Sequence, residues 1–261
     1  MDIFFEIHCQ LPREAPGNNE ATAKALSLVP KLPENPIILD IGCGPGMQTL
    51  ALAKITGGQI IAVDTHQPFL DELKRRAEEQ NLSSQIRIQN CSMFSLNFKQ
   101  ESFDLIWSEG AVYIMGFQKG LQSWHRFLKP GGTLAVTELS WLVNNPPEEP
   151  LKFFRNEYPK MKHIEENISI IKQLGYSYIK NFTIPEAAWW DDYYIPLERR
   201  ISLLRKKYRD DPEANNIIEE HQREIELYRN YYQCYGYVFY IMQKDALAAE
   251  DIIIRMSSSG L

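Results

Sequence analysis

The turn that follows the first apolar run of the chain is the feature that most restricts its fold. Residues 37–39 are predicted to form a buried β-strand, and the glycine-rich segment 40–46 (DIGCGPG) follows at once. Glycine is needed where the backbone turns sharply or where a ligand lies against bare main chain, because a Cβ would collide there. Apolar residues then repeat with helical spacing, at Met47, Leu50, Ala51 and Ile55. The pattern predicts a strand, a ligand-binding turn and a helix.

Short apolar runs alternate with helical periodicity along the rest of the chain, which is typical of an α/β fold with a mostly parallel sheet. Further strands are predicted at 59–63, 86–89, 103–107, 133–139, 176–184 and 235–242. Helices are predicted at 69–77, 121–128 and 163–174, and mainly helical structure at 186–233, with a helix beginning at Asp211-Pro212. Residues 129–132 (KPGG) are predicted to form a tight turn.

The domain organisation follows from breaks in these patterns. Prolines and polar residues at 144–150 (NNPPEEP) cannot continue a helix or a strand, so a boundary is expected there. The expected regions are an N-terminal helical lid, a ligand-binding core, a completion of the sheet that contains the helical insert 186–233, and a frayed tail. Their bounds are 1–30, 31–145, 146–244 and 245–261.

Composition narrows the function classes. The formal net charge of -6 supplies no overall positive field, so nucleic acid is not expected as a partner. No run approaches the ~20 apolar residues of a membrane span, and the first residues lack a basic segment typical of a signal peptide. The four cysteines, Cys9, Cys43, Cys91 and Cys234, are scattered and do not cluster with histidines. We expect reduced thiols, no metal site and a cytoplasmic protein.

The spacing of the glycines distinguishes two kinds of nucleotide site. Dinucleotide-binding oxidoreductases use GxGxxG, whereas here Met47 stands at the third glycine position and the pattern is GxGxG. Asp40 precedes the glycines, and a buried carboxylate suits a ligand with an ammonium group better than a pyrophosphate. Asp64 ends the second predicted strand, as an acid that binds a ribose would. An amino-acid-bearing nucleoside therefore fits better than a dinucleotide.

At these residues the sequence resembles the class I S-adenosylmethionine-dependent methyltransferases, whose first motif is [DE]xGxGxG. The likeness continues at 91–93 (CSM), 107–110 (WSEG) and 128–132 (LKPGG), and covers roughly residues 20–142 and the last two strands. The small-molecule branch, which includes the ubiquinone and menaquinone biosynthesis methyltransferases, is the most similar. The segments IWSEGAVYIMGF and LPREAPGNNEAT are nearer to a bacterial group whose acceptor is unassigned.

The resemblance implies a Rossmann-like, doubly wound sheet of seven strands with an antiparallel last strand, an N-terminal helical lid and a helical insert after strand six. It also implies S-adenosylmethionine as cofactor, with Asp64 accepting hydrogen bonds from the ribose hydroxyls. Ser92 replaces an acid common in relatives, so main chain and Met93 are expected to hold the adenine. The implied cofactor residues are Asp40, Gly42, Gly44, Gly46, Asp64, Thr65, Ser92, Met93, Ser108 and Glu109.

The acceptor chemistry is less constrained. Methyl transfer depends mainly on orientation, and a general base is needed only where the acceptor loses a proton. Glu109, Tyr113 and His8 are candidates for that base. The alternatives are cofactor binding or helix capping for Glu109, a pocket wall for Tyr113 and a surface position for His8. Eleven of the thirteen tyrosines fall between residues 176 and 240, where they either line an acceptor pocket or pack a helix on the sheet.

The function that these residues favour is methyl transfer from S-adenosylmethionine to a small-molecule acceptor whose nucleophilic atom is undetermined. Two alternatives stay open: a NAD-dependent oxidoreductase, and a non-catalytic regulator that binds S-adenosylmethionine. The sequence does not distinguish a monomer from a homodimer.

Overall fold

A computed structural model describes residues 3–8 and 11–245 of the chain. Its central feature is one mixed sheet in the order β3-β2-β1-β4-β5-β8-β7, with the short β6 paired to β5. β8 is antiparallel to both of its neighbours, and the other pairings are parallel. The strands are β1 (Ile37–Ile41), β2 (Gln59–Asp64), β3 (Ile86–Asn90), β4 (Phe103–Ser108), β5 (Leu128–Trp141), β6 (Lys162–His163), β7 (Tyr176–Thr183) and β8 (Tyr235–Lys244).

Helices cover both faces of the sheet, because alternate strand residues face opposite sides. Ile38 of β1 belongs to one buried cluster, and Leu39 and Ile41 belong to the other. The helices are α1 (Ile3–His8), α2 (Asn19–Ser27), α3 (Met47–Thr56), α4 (Gln67–Glu79), α5 (Val112–Met115), α6 (Phe117–Trp124), α7 (Glu148–Glu157), α8 (Ile164–Gln173), α9 (Ala187–Trp189), α10 (Ile195–Lys207) and α11 (Pro212–Tyr231). α2, α3 and α4 pack on the first face, and α5, α6 and α8 on the second. This layering confirms the predicted doubly wound α/β fold.

The helical insert lies where it was expected, between β7 and β8. A π-helix, Trp190–Tyr194, joins α9 to α10 within it. α1 packs against α10 and α11, so the N-terminal helix and the insert meet although they are far apart in sequence. Glu6 fastens this contact, because its side chain accepts hydrogen bonds from Lys207 Nζ (2.6 Å) and from Tyr208 Oη (2.7 Å). The exact bounds of the predicted regions, 30/31 and 145/146, stay predictions.

Three local predictions were wrong in detail. Residues 129–132, which were expected to form a turn, are part of β5. The register between β4 and β5 shifts there, between the pairs Phe103–Leu128 and Leu105–Thr133. Residues 148–150 begin α7, because a proline in the first helical turn removes no hydrogen bond that the helix needs. The helix expected at 121–128 begins at Phe117 and gives way to a 3₁₀ turn at His125–Phe127. The two-residue β6 was not predicted, since it is too short for a periodic signal.

The thiols of Cys43, Cys91 and Cys234 are free, as expected for reduced cysteines, whereas Cys9 lies outside the described residues. Most of the expected tail, residues 246–261, also lies outside them. Within residues 3–8 and 11–245, we find no helix with the length and apolar character needed to cross a bilayer.

Candidate functional site

The glycine-rich turn lies at the carboxyl end of β1, between β2 and β4, where strand order reverses and where ligands bind in sheets of this kind. The backbone N–H groups of Gly42 and Cys43 both donate to the carbonyl oxygen of Val63, at 2.9 and 3.0 Å, which holds the turn against β2. Gly42 has a φ of +72°, and a Cβ there would lie 2.3 Å from the Cβ of Ala111. The close approach of the segment after β4 therefore requires glycine at this position.

A cavity of about 480 Å³ opens above this turn. Its wall joins residues that follow β1, β2, β3 and β4 to residues of the N-terminal segment, which places groups from distant parts of the sequence around one space. Nine of the predicted site residues line it: His8, Gly42, Gly44, Asp64, Thr65, Ser92, Met93, Glu109 and Tyr113.

The other three predicted site residues, Asp40, Gly46 and Ser108, are not part of that wall. Ser108 is fully buried, and its Oγ donates to the carbonyl oxygen of Ile41 at 2.9 Å. Gly46 packs against the side chain of Leu73. These three residues support the turn from behind, and direct contact between them and a cofactor stays a prediction.

Asp40 has no exposed surface, and its environment is unusual for a carboxylate. Its Oδ2 accepts hydrogen bonds from Thr49 Oγ1 (2.6 Å) and from Gln48 Nε2 (3.3 Å). Its Oδ1 has no hydrogen-bond partner among the described residues. Burial raises the pKa of Asp40 to about 7, in spite of the hydrogen bond from Thr49. Gln48 also lines the cavity, so it connects Asp40 to the cavity wall.

Asp64, the last residue of β2, presents a half-buried carboxylate to the cavity. Its Oδ2 accepts from the backbone N–H of Gly44 at 3.0 Å, and its Oδ1 accepts from the backbone N–H of His66 at 2.9 Å. Each carboxylate oxygen can accept more than one hydrogen bond, so both retain capacity for ligand hydroxyls. The two backbone contacts orient the carboxylate before any ligand arrives.

The N-terminal segment lies across the site and is fastened to the core. The ring of Phe5 stacks on His66 with centroids 3.9 Å apart and an interplanar angle of 4°. Arg76 of α4 donates to the carbonyl oxygens of Pro12 (3.1 Å) and Pro45 (3.2 Å), which ties this segment to the glycine-rich turn. α1 therefore lies beside the first cavity, and its role as a lid stays a prediction.

Glu109 makes a buried network that sequence analysis did not anticipate. Its Oε2 accepts from Arg13 Nη1 at 3.0 Å. Its Oε1 accepts from Thr22 Oγ1 at 2.7 Å and from Trp107 Nε1 at 2.8 Å. Three donors therefore compete with any proton transfer to this carboxylate, and its described contacts favour a structural role. Its roles as base and as cofactor ligand stay predictions.

His8 is buried and lines the cavity, contrary to the alternative of a surface histidine. Its Nδ1 lies 3.0 Å from Glu14 Oε2, and its Nε2 lies 3.3 Å from His221 Nε2 in α11. Burial lowers the pKa of His8 to about 4. Burial also raises the pKa of Glu14 to about 8, and the nearby charge of Asp64 adds to that effect.

A second cavity, of about 740 Å³, adjoins the first. Residues of α1, of the segment after it and of the segment after β4 border both spaces: Phe4, His8, Glu14, Ala15, Pro16, Gly110 and Tyr113. The far wall is aromatic, with Trp189, Tyr193, Tyr194, Tyr235 and Tyr237. Other rings of the tyrosine-rich half pack inside the protein, such as Tyr228, which stacks on Trp189 at 3.9 Å. The rings therefore serve as both cavity wall and packing.

Glu138 is a second buried acid that sequence analysis passed over, and it accepts a hydrogen bond from Tyr158 Oη at the wall of the larger cavity. Burial raises the pKa of Glu138 to about 8. The sequence does carry a signal for it, because an acid in the middle of an apolar, buried strand requires an explanation. Glu14 has no such signal, since it lies in an irregular segment.

We expect the protein to lose stability as pH rises from about 6.5 to about 8, and Glu138→Gln to make this loss less steep. Folded Glu138 keeps its proton up to a pKa of about 8, whereas an unfolded glutamate releases it near its ordinary pKa of 4.5. The folded state therefore binds more protons in this range, and each one changes the free energy of unfolding by ~1.4 kcal/mol per pH unit. Asp40 and Glu14 act in the same direction and persist in the variant.

Urea denaturation at several pH values measures this slope. The depressed pKa of His8 acts in the opposite direction only below about pH 6.5, so it does not obscure the result. The exposed Glu78→Gln is the matched control and should leave the slope of the wild type unchanged. A Glu138→Gln slope equal to that of the wild type would contradict a buried, protonated Glu138.

Comparison with known proteins agrees with this geometry. The family model described as a methyltransferase domain matches residues 38–132, which run from β1 through the glycine-rich turn to the start of β5. Residues 38–132 therefore form a methyltransferase domain. This confirms the family resemblance inferred from the segment 40–46 and from Asp64.

Relatives of the methyltransferase domain differ in their names. The sterol 24-C-methyltransferase of Saccharomyces cerevisiae is 26% identical over 171 residues, which are 62% of this chain and 44% of that protein. The demethylmenaquinone methyltransferase of Lactobacillus johnsonii is 32% identical over 109 residues, which are 41% of this chain and 45% of that protein. The chain spans less than half the length of these curated relatives.

The fold of the methyltransferase domain and of the rest of the chain recurs in solved structures. A methyltransferase from Thiobacillus denitrificans in complex with S-adenosylhomocysteine superposes with a TM-score of 0.80 at 21% identity. The match covers 93% of this chain and 98% of that chain. The shared fold therefore extends well beyond residues 38–132, the part of the chain that the family model matches.

Proposed function

We propose that the protein transfers a methyl group from S-adenosylmethionine to a small-molecule acceptor. The observation that carries the proposal is the first cavity, where the bare backbone of Gly42 and Gly44 and the carboxylate of Asp64 face the same space. The family of residues 38–132 and the shared fold support it.

The residues around the first cavity fit this cofactor. Asp64 has acceptor capacity for two ribose hydroxyls, and Met93 supplies an apolar contact for a base near the turn. Carboxyl oxygens, from Asp64 at the wall and from Asp40 behind Gln48, would accept hydrogen bonds from an ammonium group but would not suit a pyrophosphate. When bound, S-adenosylmethionine would supply an activated methyl group on a positively charged sulfur.

The second cavity suits a small molecule as acceptor. It adjoins the first cavity across His8, Glu14 and Tyr113, so a molecule held there would meet the cofactor site. Its aromatic wall and its volume of about 740 Å³ are typical of small-molecule sites. The names of the relatives, which refer to a sterol and to demethylmenaquinone, support an acceptor of this size class.

Calorimetric titration with S-adenosylhomocysteine and with NAD distinguishes this function from its alternatives. We expect binding of S-adenosylhomocysteine and none of NAD; the reverse result would indicate an oxidoreductase. A screen for labelled methyl transfer to phenols, alcohols, amines, thiols and quinols then tests catalysis. Binding of S-adenosylhomocysteine together with a silent screen would favour a non-catalytic regulator.

Asp64→Ala is expected to weaken binding of S-adenosylhomocysteine. Charge-assisted hydrogen bonds contribute ~1.5–3 kcal/mol, so each bond lost to a ribose hydroxyl lowers affinity roughly 10- to 150-fold. The same calorimetric titration measures the effect. Asp71→Ala is the matched control, because Asp71 is an exposed aspartate on the neighbouring α4, and its affinity should equal that of the wild type. An unchanged dissociation constant for Asp64→Ala would refute the role of Asp64.

A further inference from the structure

A chain of hydrogen bonds links the two cavities and ends inside the insert. Glu14 and His8 border both cavities, whereas His221 of α11 borders the larger one. Glu14 Oε2 lies 3.0 Å from His8 Nδ1, and His8 Nε2 lies 3.3 Å from His221 Nε2. His221 Nδ1 in turn lies 2.8 Å from the carbonyl oxygen of Ile217, one helical turn earlier. His8 itself is only 5% exposed, so water does not easily replace these contacts.

The carbonyl at the end of this chain determines the direction of every hydrogen bond in it. A carbonyl oxygen only accepts, so His221 Nδ1 carries a proton. In neutral His221 the other nitrogen, Nε2, is therefore an acceptor, and His8 Nε2 must donate to it. Neutral His8 then has an unprotonated Nδ1, which requires Glu14 Oε2 to donate as a carboxylic acid. The alternative state moves that one proton from Glu14 to His8, so the pair holds one shared proton in both cases.

The surroundings favour the state with a neutral His8 and a protonated Glu14. Three charged groups act on the pair. Glu224 of α11 raises the pKa of His8. Asp64 raises the pKa of Glu14, and Arg76 lowers it. Burial has the largest effect on both pKa values and outweighs the opposing charges of Glu224 and Arg76. Glu14 Oε1 makes no hydrogen bond with any described residue, so this oxygen can accept one from a ligand.

On the proposed function, we infer that Glu14, His8 and His221 form a relay that removes a proton from an acceptor with a reactive hydroxyl or amine. The acceptor's X–H bond breaks, its electron pair stays on X as the nucleophile, and the proton bonds to Glu14 Oε1. Glu14 Oε2 passes its proton to His8 Nδ1, and His8 Nε2 passes its own to His221 Nε2. Glu14 and His8 stay neutral, and His221 becomes the imidazolium.

The residues that line the larger cavity suit both the imidazolium of His221 at one end of the relay and the acceptor at the other. Its lining includes Glu220 and Glu224 of α11, whose carboxylates lie on the same helix as His221 and would stabilise the imidazolium. Among the described residues, the lining holds more glutamates than lysines and arginines. That balance disfavours an anionic acceptor and agrees with a neutral hydroxyl compound or an amine.

Nitrogen NMR of isotopically labelled histidine side chains tests the relay without any acceptor. The chain has five histidines, so single His→Gln variants assign each signal, and His125 and His163 serve as references outside the relay. At a pH where both rings give the signals of a neutral imidazole, we expect His8 to be protonated at Nε2 and His221 at Nδ1. A His221 protonated at Nε2 or a His8 protonated at Nδ1 alone would overturn the inference.

Glu14→Gln separates hydrogen bonding from proton transfer. The amide can still donate to His8 Nδ1, so the histidine signals should keep their tautomers, but it cannot exchange a proton. For hydroxyl or amine acceptors found in the methyl-transfer screen, we expect the rate to fall about 10²- to 10⁴-fold. Affinity for S-adenosylhomocysteine should change less than about threefold. His221→Phe should lower the rate similarly, whereas His163→Gln should not, because His163 is half-buried and borders neither cavity.

The outcomes separate this inference from the proposed function. Wild-type protein that fails to bind S-adenosylhomocysteine would refute the proposed function, whatever the tautomers are. Two results would refute only the relay, provided that the wild type binds S-adenosylhomocysteine. One is that His8 or His221 has the other tautomer, and the second is that Glu14→Gln and His221→Phe transfer methyl groups as fast as the wild type. If the screen yields no acceptor, the tautomer measurement alone decides.

Discussion

Glu109→Ala is expected to lower the free energy of unfolding by about 3–5 kcal/mol, because it leaves a buried charge without its partner. The side chain of Arg13 is 4% exposed and that of Glu109 is 5% exposed, so water cannot replace the lost carboxylate. Thr22 Oγ1 and Trp107 Nε1 would also lose their acceptor. Urea denaturation followed by circular dichroism measures the change.

The control for this variant is Glu78→Ala, which removes an exposed glutamate from α4 and should change the free energy of unfolding by less than about 0.5 kcal/mol. Arg13→Ala combined with Glu109→Ala should recover part of the loss, because no unpaired charge then remains buried. A Glu109→Ala protein as stable as the wild type would show that the ion pair is solvated. Glu109 would then be free for the chemical roles predicted from the sequence.

Gly46→Ala is expected to destabilise the protein by about 2–5 kcal/mol and to weaken binding of S-adenosylhomocysteine. The backbone of Gly46 has a φ of +84°, a conformation that costs an L-residue roughly 1–2 kcal/mol. The added Cβ would lie 2.1 Å from Leu73 Cδ1, and overpacking of this kind costs roughly 1–3 kcal/mol more. Relief of that clash must move either α4 or the glycine-rich turn, and the turn forms the wall of the first cavity.

Gly57→Ala is a close control, because Gly57 also has a left-handed backbone, with a φ of +64°, but no atom lies within 4 Å of its added Cβ. Its free energy of unfolding should fall by only roughly 1–2 kcal/mol, the cost of a left-handed backbone for an L-residue. It should bind S-adenosylhomocysteine like the wild type. The difference between the two variants isolates the contact with Leu73. Equal stability and equal affinity in the two variants would show that Leu73 yields without disturbing the turn.

The parts of the site that the sequence predicted are those encoded by contiguous residues. A strand, a glycine-rich turn and a helix follow one another at 37–56, and an acid at a strand end is visible in the same way. Gly42, Gly44 and Asp64 accordingly line the first cavity. Asp40 and Ser108 lie close to the motif but are buried in the core. The sequence does not distinguish them from residues that line the cavity, because burial depends on neighbours from other strands.

The residues that sequence analysis missed are paired over long distances in the chain. Arg13 meets Glu109 across 96 positions, and His8 meets His221 across 213. No periodicity links such positions, and the contact of His8 with His221 exists only after α1 packs against α11. The sequence indicates His8 as a base on its own, whereas Glu14 and His221 join it in the proposed relay only because of their distances to it.

The sequence by itself determined the α/β class, the order of the main strands and helices, and the family of the ligand-binding turn, because these depend on local periodicity and on where glycine is required. The tertiary structure alone decided which side chains meet across the two cavities, which acids are buried deeply enough to keep a proton, and that Glu109 is held by three donors. Burial and hydrogen-bond pairing are properties of neighbours in space, and the fold brings those neighbours from both ends of the chain.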